Sequence, residues 1–202
     1  GIEINGTLTA DSNIYELGGS WDNNATFTAG NSTIVFTATS GIQAVDSTGA
    51  AAASFNAVTF GQGSGSATWN LGSVIDINGN AAINFGTLGQ NGSNNISLAG
   101  DLTIGAGGSF TKGNGTTTFD GTGTHTWTDN AAVKQDLGKV VIDGSAETLQ
   151  LATDVAATDI TIGSDDIFNV TAGNYTITVS GNWTNNNIFT AQQGTVTLTA
   201  TS

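Results

Sequence analysis

The feature that most constrains the fold is an internal repeat of about 80 residues, present in roughly two and a half copies. The tripeptide GSW at 19–21 recurs as GDL at 100–102 and as GNW at 181–183, so the two steps are equal. The apolar positions of the neighbouring segments keep the same register in the successive copies. Chance is a poor explanation for a register that persists over most of the chain, and long periods of this kind are typical of repeat architectures.

Each repeat unit divides into two halves of similar length. Half A occupies 1–40, 82–122 and 161–202, and half B occupies 41–81 and 123–160. The chain therefore has the order A-B-A-B-A. We predict a single repeat-built domain that covers residues 1–202.

Within each half, the residue pattern is that of β-strands. Segments such as TIVFTAT at 33–39 and TVTLTAT at 195–201 alternate apolar and polar residues, which is the period of a half-buried strand. Clusters of Gly and Asn separate these segments, and both residues tolerate the positive φ angles of tight turns. Only 48–55 and 129–137 suggest a helix, and both are short and weakly patterned.

These strands predict an all-β protein, and the favoured architecture is a β-solenoid similar to a parallel β-helix. The chain has no proline, which suits long continuous sheets because proline cannot donate to a hydrogen-bond ladder. One unit would then form about four turns of roughly 20 residues each. Tandem β-sandwich domains are the alternative, since their strand counts and spacings look similar. The half-integral number of repeats favours the solenoid, which can stop at any turn.

The charge balance limits the partners of the chain. It has 16 acidic residues, three lysines and no arginine, for a net charge of −13. Nucleic-acid binding, which needs clustered basic residues, is therefore excluded, and docking on anionic lipid is disfavoured. No apolar run approaches the roughly 18 residues of a membrane-spanning helix, so no membrane insertion is expected.

The composition also suggests a compartment. Charged residues make up only 9% of the chain, so its surface must be covered by Thr, Ser, Asn, Gln and Gly. Neutral polar surfaces of this sort are common in proteins that persist outside the cell. Because the chain has no Met, Gly1 is interpreted as a processed N-terminus or an artificial boundary. We expect a secreted protein, either extracellular or on the cell surface.

The sequence offers little for catalysis, and we predict no catalytic residues, no cofactor and no enzymatic activity. The single histidine, His125, lies beside Trp127 in a strand-like segment, where a surface position is the simplest interpretation. Asp165 and Asp166 are the only adjacent carboxylates, and neighbours on a strand point to opposite faces. A solvated turn explains them more simply than a sugar-cleaving pair. The scattered aspartates lack the compact spacing of a calcium loop, so no metal site is predicted.

Two residue types raise the question of sugars. Trp21 and Trp183 share one repeat position, and core packing is favoured over sugar stacking because inward-facing strands follow both. If they are buried, their indole N–H groups need partners. N-x-S/T sequons make several asparagines candidate glycan acceptors. The ones we single out are Asn5, Asn24, Asn31, Asn114 and Asn182.

Two segments carry a family resemblance. GGSWDNNATFTAGNSTIVFTATS at 18–40 and GNWTNNNIFTAQQGTVTLTATS at 181–202 resemble the Gly/Thr/Asn-rich repeats of large bacterial and archaeal secreted surface and adhesin-like proteins. The middle copy departs from the pattern, because Leu102 replaces Trp and GAGGSF adds two residues. The motifs are structural, so the resemblance implies a surface, adhesive or filamentous role.

These observations predict a structural subunit of an extracellular filament, pilus-like fibril or surface layer. Such a subunit would assemble head to tail through its terminal strands, since unpaired strand edges invite another chain. The residues predicted to form this homopolymer interface are Ile2, Ile4, Leu8, Val196 and Leu198, within 1–9 and 195–202. The alternative is an adhesin stalk or a carbohydrate-binding module of a longer surface protein, with surface glycans as partners.

Overall fold

The computed structural model describes residues 1–47 and 53–199, and all of the regular structure in these ranges is β-strand. The all-β prediction is confirmed. The described residues include no helix long and apolar enough to cross a membrane.

The strands are short, mostly three to five residues. In chain order they are β1 (Ile2–Ile4), β2 (Thr7–Thr9), β3 (Ile14–Leu17), β4 (Trp21–Asn23), β5 (Thr26–Thr28), β6 (Thr33–Phe36), β7 (Ile42–Asp46), β8 (Ala53–Phe55), β9 (Ala57–Phe60), β10 (Thr68–Leu71), β11 (Ile75–Ile77), β12 (Ala81–Gly89), β13 (Ile96–Leu98), β14 (Leu102–Thr111), β15 (Thr116–Phe119), β16 (Thr122–Asp129), β17 (Lys139–Ile142), β18 (Ser145–Leu151), β19 (Val155–Ala157), β20 (Asp159–Ile162), β21 (Ile167–Asn169), β22 (Thr176–Val179), β23 (Trp183–Asn185), β24 (Ile188–Thr190) and β25 (Thr195–Leu198).

Every strand pair in the described part of the chain is parallel, and each strand pairs with strands one turn away. The chain winds into a β-solenoid of about nine turns. The solenoid prediction is therefore confirmed. The β-sandwich alternative is wrong, because sandwiches are built from antiparallel sheets.

The strands stack in three columns, which we call sheets 1, 2 and 3, and the chain visits them in that order. Sheet 1 contains β1, β4, β7, β10, the second half of β12, the second half of β14, a single bridge at Asp136, β19, β22 and β25. Sheet 2 contains β2, β5, β8, β11, β13, β15, β17, β20 and β23. Sheet 3 contains β3, β6, β9, the first half of β12, the first half of β14, β16, β18, β21 and β24.

The length of a turn varies along the stack. Ile2 pairs with Trp21 in the next turn, whereas Ile42 pairs with Thr68, so the second of these turns is the longer one. Extra residues fall in the corners between sheets, where turn residues with positive φ are concentrated, such as Gly61 at 77°.

The sequence repeat does not coincide with a whole number of turns. Its equivalent residues Trp21, Leu102 and Trp183 lie in sheets 1, 3 and 2 respectively. We count each visit of the chain to a sheet as one strand position, and each of the two steps then covers eleven strand positions. With three positions per turn, one unit makes three and two-thirds turns. That is slightly fewer than the four turns expected, because the turns are on average longer than the sequence suggested. Successive copies of the repeat therefore lie on different faces.

The interior is one continuous column of inward-facing apolar side chains. The rings of Phe36 and Phe60 stack with centroids 4.9 Å apart, and the ring of Trp69 lies 5.7 Å from that of Phe60. Trp21 is 1% exposed, which confirms its predicted core position. Trp183 is only partly buried, because it belongs to the last turn of the stack.

The buried indole of Trp21 has a partner, since its Nε1–H donates to Ser47 Oγ at 3.1 Å. We expect Ser47→Ala to lower the free energy of unfolding by about 1–3 kcal/mol, because it leaves a buried donor unsatisfied. Urea denaturation measures this loss. In a Trp21→Phe background the same substitution should have little further effect, and an undiminished loss there would show that the hydrogen bond is not its cause.

The segments that weakly suggested helix behave differently. The predicted segment 129–137 is not helical: it starts at Asp129, the last residue of β16, and continues as a loop. Asp129 Oδ1 and Oδ2 accept from the backbone N–H groups of Ala131 and Gln135 at 2.9 and 2.5 Å. Lys134 Nζ donates to the carbonyl oxygens of Asp129 and Ala131. The other segment, 48–55, lies partly outside the described residues, at 48–52.

Candidate functional site

The two ends of the stack differ from its middle in how far apolar side chains are covered. The partly buried apolar residues that pack against the core lie, apart from Tyr175, in β1–β5 or β23–β25. At the first end these are Ile2, Leu8, Tyr15, Leu17 and Phe27, and at the last end Trp183, Phe189 and Val196. At both ends of the described stack, therefore, apolar side chains of the core are only partly covered by the described residues.

The five predicted interface residues are divided between these ends. Ile2, Ile4 and Leu8 lie in the first turn, and Val196 and Leu198 lie in the last strand. Ile4 is 5% exposed and already belongs to the core, whereas Leu198 is 63% exposed. The sequence placed all five on terminal strands, and the structure separates them by about nine turns. Residues 200–202 of the predicted junction lie outside the described residues.

The backbone edges at the two ends are open. Among the described strands, β1 pairs only with β4, and β25 pairs only with β22. The outer edge of each therefore presents N–H and C=O groups that can continue a parallel ladder. Alternation of inward and outward residues fixes the face that any added strand must turn toward the core.

Charge distinguishes one end from the other. The segment 1–22 carries four carboxylates, Glu3, Asp11, Glu16 and Asp22, and no lysine. No charged residue follows Asp166 in the sequence. Two acidic first ends would repel each other, whereas an acidic first end meeting a neutral last end would not.

The candidate glycan acceptors all have accessible side chains. Asn5, Asn24, Asn31, Asn114 and Asn182 are all exposed. Asn24 Nδ2 lies 3.4 Å from Asn5 Oδ1, so these two stack in adjacent turns. Their accessibility is compatible with modification.

A buried polar cluster, which we call the corner cluster, lies between sheets 2 and 3 and consists of His125, Glu147 and Asp166. His125 Nδ1 is 3.2 Å from Glu147 Oε1, and the backbone N–H of Gly121 donates to Glu147 Oε2 at 3.0 Å. The backbone N–H of Glu147 donates to Asp166 Oδ1 at 3.0 Å. Asp166 Oδ2 has no hydrogen-bond partner among the described residues.

Two sequence interpretations fail at this cluster. The His125 side chain is 19% exposed rather than a free surface group, because it folds against Glu147. Asp165 is exposed in a turn as predicted, but Asp166 is 0% exposed because its side chain turns inward. Glu147 was missed altogether. The signal was present, since in ETLQL the residue shares the inward face of Leu149 and Leu151.

Burial makes the two carboxyl groups of the corner cluster harder to ionise. Desolvation raises the pKa of Glu147, against the opposing effect of its bond to His125. Desolvation also raises the pKa of Asp166, and the nearby charges of Asp165 and Asp143 raise it further. Within the described residues, no three acidic, histidine or cysteine side chains are grouped to hold a metal ion. The free energy of unfolding therefore depends on pH through these two carboxyl groups.

Leu102, where the other two copies have tryptophan, lines an apolar cavity of about 20 Å³ inside the stack. This volume is close to that of one water molecule and is too small for an organic ligand.

Searches of family models, curated proteins and solved structures find no match for the chain. Among the features described, the two ends of the stack offer the geometry best suited to binding another chain, because they combine free strand edges with partly covered apolar side chains.

Proposed function

We propose that the protein is a structural subunit of an extracellular filament, pilus-like fibril or surface layer, and that it assembles head to tail through its terminal strands. The observation that carries this proposal is that both ends of a nine-turn parallel stack leave core side chains and strand edges uncovered. Covering them with another copy removes apolar area from water and completes backbone hydrogen bonds.

The symmetry of the contact supports an open assembly. The surface of β1–β3 differs from that of β23–β25, so a contact between them is heterologous and generates a filament rather than a closed pair. The charge difference between the ends favours this polarity over a contact between two first ends. Exposed neutral polar side chains along the strands suit a secreted protein, and export is part of the proposal.

A second candidate is a stalk or carbohydrate-binding segment of a longer surface protein. The sequence repeat favours it, because a solenoid grown by duplication can continue through both ends in one chain. In that case turns of the same polypeptide would cover β1 and β25. The length of the natural gene product and a glycan array distinguish this candidate from the filament subunit.

The filament proposal predicts that charges on the inward face of the last strand abolish assembly. Val196→Asp combined with Leu198→Asp should leave monomers, because the carboxylates would be buried against the next copy without partners. The matched control is Thr195→Asp combined with Thr199→Asp, which adds the same charge to the outward side of the last segment, at two exposed positions. Sedimentation velocity and negative-stain microscopy provide the measurement.

The control variant should still form filaments, and both variants should retain the circular dichroism of the parent chain. Assembly of both variants to the same degree as the parent would show that β25 is not in the contact. A parent chain that stays monomeric at high concentration would rule out self-assembly through these ends.

A further inference from the structure

We infer that consecutive copies stack with a rotation of one third of a turn, so that β1, β2 and β3 of one copy lie on β23, β24 and β25 of its neighbour. The inference rests on the proposed head-to-tail assembly and assigns its partner, contact strands and symmetry. It follows from the number of strand positions on the three sheets, and the residue pairs that would meet support it.

The strand positions of the described chain do not fill whole turns. Twenty-five strands, of which β12 and β14 each span two sheets, together with the bridge at Asp136, occupy twenty-eight positions. Twenty-eight is nine turns of three plus one, so sheet 1 has one more layer than sheets 2 and 3. The described path therefore begins and ends on sheet 1, and the position that follows β25 in the winding order lies on sheet 2.

Only one orientation of a second copy continues all three sheets without a missing layer. If β1 were placed on β25, in line with sheet 1, then sheets 2 and 3 would each lack one strand at the junction. Trp183 and Phe189 would then face a gap. Placing β1 on β24 leaves one strand missing from sheet 2. Placing β1 on β23 leaves none, because β2 then covers β24 and β3 covers β25.

The sequence repeat points to the same pairing. The last three strands, β23, β24 and β25, lie two repeat units after β4, β5 and β6, with Trp183 equivalent to Trp21. Inside the chain β1, β2 and β3 already pack on β4, β5 and β6, and the registered pairs include Ile2 with Trp21 and Ile4 with Asn23.

The rotated junction reproduces those pairs with the third copy of the repeat. Ile2 would meet Trp183 and Ile4 would meet Asn185, because β4 reads WDN and β23 reads WTN. In the same way Leu8 would meet Phe189, as it meets Phe27 within the chain. The new contact uses the opposite strand edge, but inward side chains in a parallel stack meet their neighbours in the same column on both sides.

Outward residues at this junction are compatible in charge. In the rotated register Glu3 lies beside Thr184, and Glu16 lies beside Thr197. Both threonines are exposed, and both belong to the segment after Asp166, which contains no charged residue. The acidic residues of the first turn therefore meet no like charge across the contact.

Disulfide trapping tests the rotation directly, because the chain contains no cysteine. Glu3→Cys with Thr184→Cys places two thiols on adjacent parallel strands only in the rotated junction, at the Cα spacing a disulfide accepts. Glu3→Cys with Thr197→Cys is the matched control for the unrotated junction, and Glu3→Cys with Thr190→Cys is the control for the other rotation. The two ends of one copy are about nine layers apart, roughly 43 Å, so the bond can form only between copies.

We expect the Thr184→Cys pair to give a covalent ladder on non-reducing gels at least tenfold faster than either control pair. Helical reconstruction of the filament should give a rotation of about 120° per copy and a rise of roughly 45 Å, from nine and one-third layers of about 4.8 Å.

A covalent ladder mainly from the Thr197→Cys or Thr190→Cys pair would overturn the rotation and leave the filament proposal standing. Filaments without a ladder from any pair would overturn strand stacking as the junction. Absence of both filaments and ladders would overturn the proposed function itself.

Discussion

Phe60→Ala is expected to lower the free energy of unfolding by about 3–5 kcal/mol. The Phe60 side chain is 1% exposed and packs against both the stacked ring of Phe36 and the indole of Trp69. Its removal would leave a cavity in the middle of the stack, where turns above and below prevent collapse. Because neighbouring turns depend on each other, the loss would affect both flanking segments.

Chemical denaturation of the monomeric protein measures this effect, and Phe189→Ala is the matched control. Phe189 occupies an inward position in β24 but is only partly buried, so its loss should cost less than half as much. Equal losses for the two variants would show that the last turn is covered in the monomer. That result would remove the main observation behind end-to-end assembly.

Acidification from neutral pH toward the ordinary pKa range of carboxyl groups is expected to stabilise the folded protein. Burial raises the pKa of four carboxyl groups: Asp120, Asp129, Glu147 and Asp166. For each group, the folded chain holds a proton at a pH where the unfolded chain has lost it. Their contribution to stability is therefore fully present below the ordinary values of 3.8 for Asp and 4.5 for Glu, and it is lost as the pH rises through the folded-state pKa.

The size of the pH effect is set by proton linkage. Each group that carries a proton only in the folded chain changes the free energy of unfolding by about 1.4 kcal/mol per pH unit. Glu147→Gln combined with Asp166→Asn should flatten much of this dependence, and Glu3→Gln combined with Asp11→Asn is the control at exposed positions far from the corner cluster. Urea denaturation of the parent and of both variants at a series of pH values measures the free energy of unfolding on which this prediction depends. A parent chain whose stability falls steadily as the pH is lowered from neutral to the ordinary Glu pKa of 4.5 would contradict the prediction.

The sequence was sufficient for the strand content and the solenoid, but not for the assignment of strands to faces. Alternation in TIVF and TVTL predicts β6 and β25, and the register of the long repeat survives in the structure as a constant step of eleven strand positions. The assignment to faces depends on corner lengths, which make the turn after Ile42 longer than the turn after Ile2. The loop between β16 and β17 even has a single bridge where the other turns have a strand. No local pattern reveals such insertions.

The candidate sites were predicted unevenly for a similar reason. The apolar–polar alternation near the end of the sequence places Val196 and Leu198 together on one face of a strand, and the structure has both in β25. Alternation also places Glu147 on the inward face, but it does not reveal that Asp166 stacks one turn above it. That neighbour is distant in the sequence and is brought there by the corner between β20 and β21. The proximity of two buried carboxyl groups in a solenoid depends on how the chain winds, and neither segment reveals it alone.

The displacement of successive repeat copies around the three sheets also determines which residues a longer stack would present along one face. A repeat of whole turns would place the same residues on the same sheet in every copy. Here the position held by Trp21 passes to Leu102 and then to Trp183 on three different sheets. Because each unit makes three and two-thirds turns, the sequence returns to the same sheet only after three units, which span eleven turns. A stack lengthened by whole sequence units would therefore present a given residue along one face only once in eleven turns.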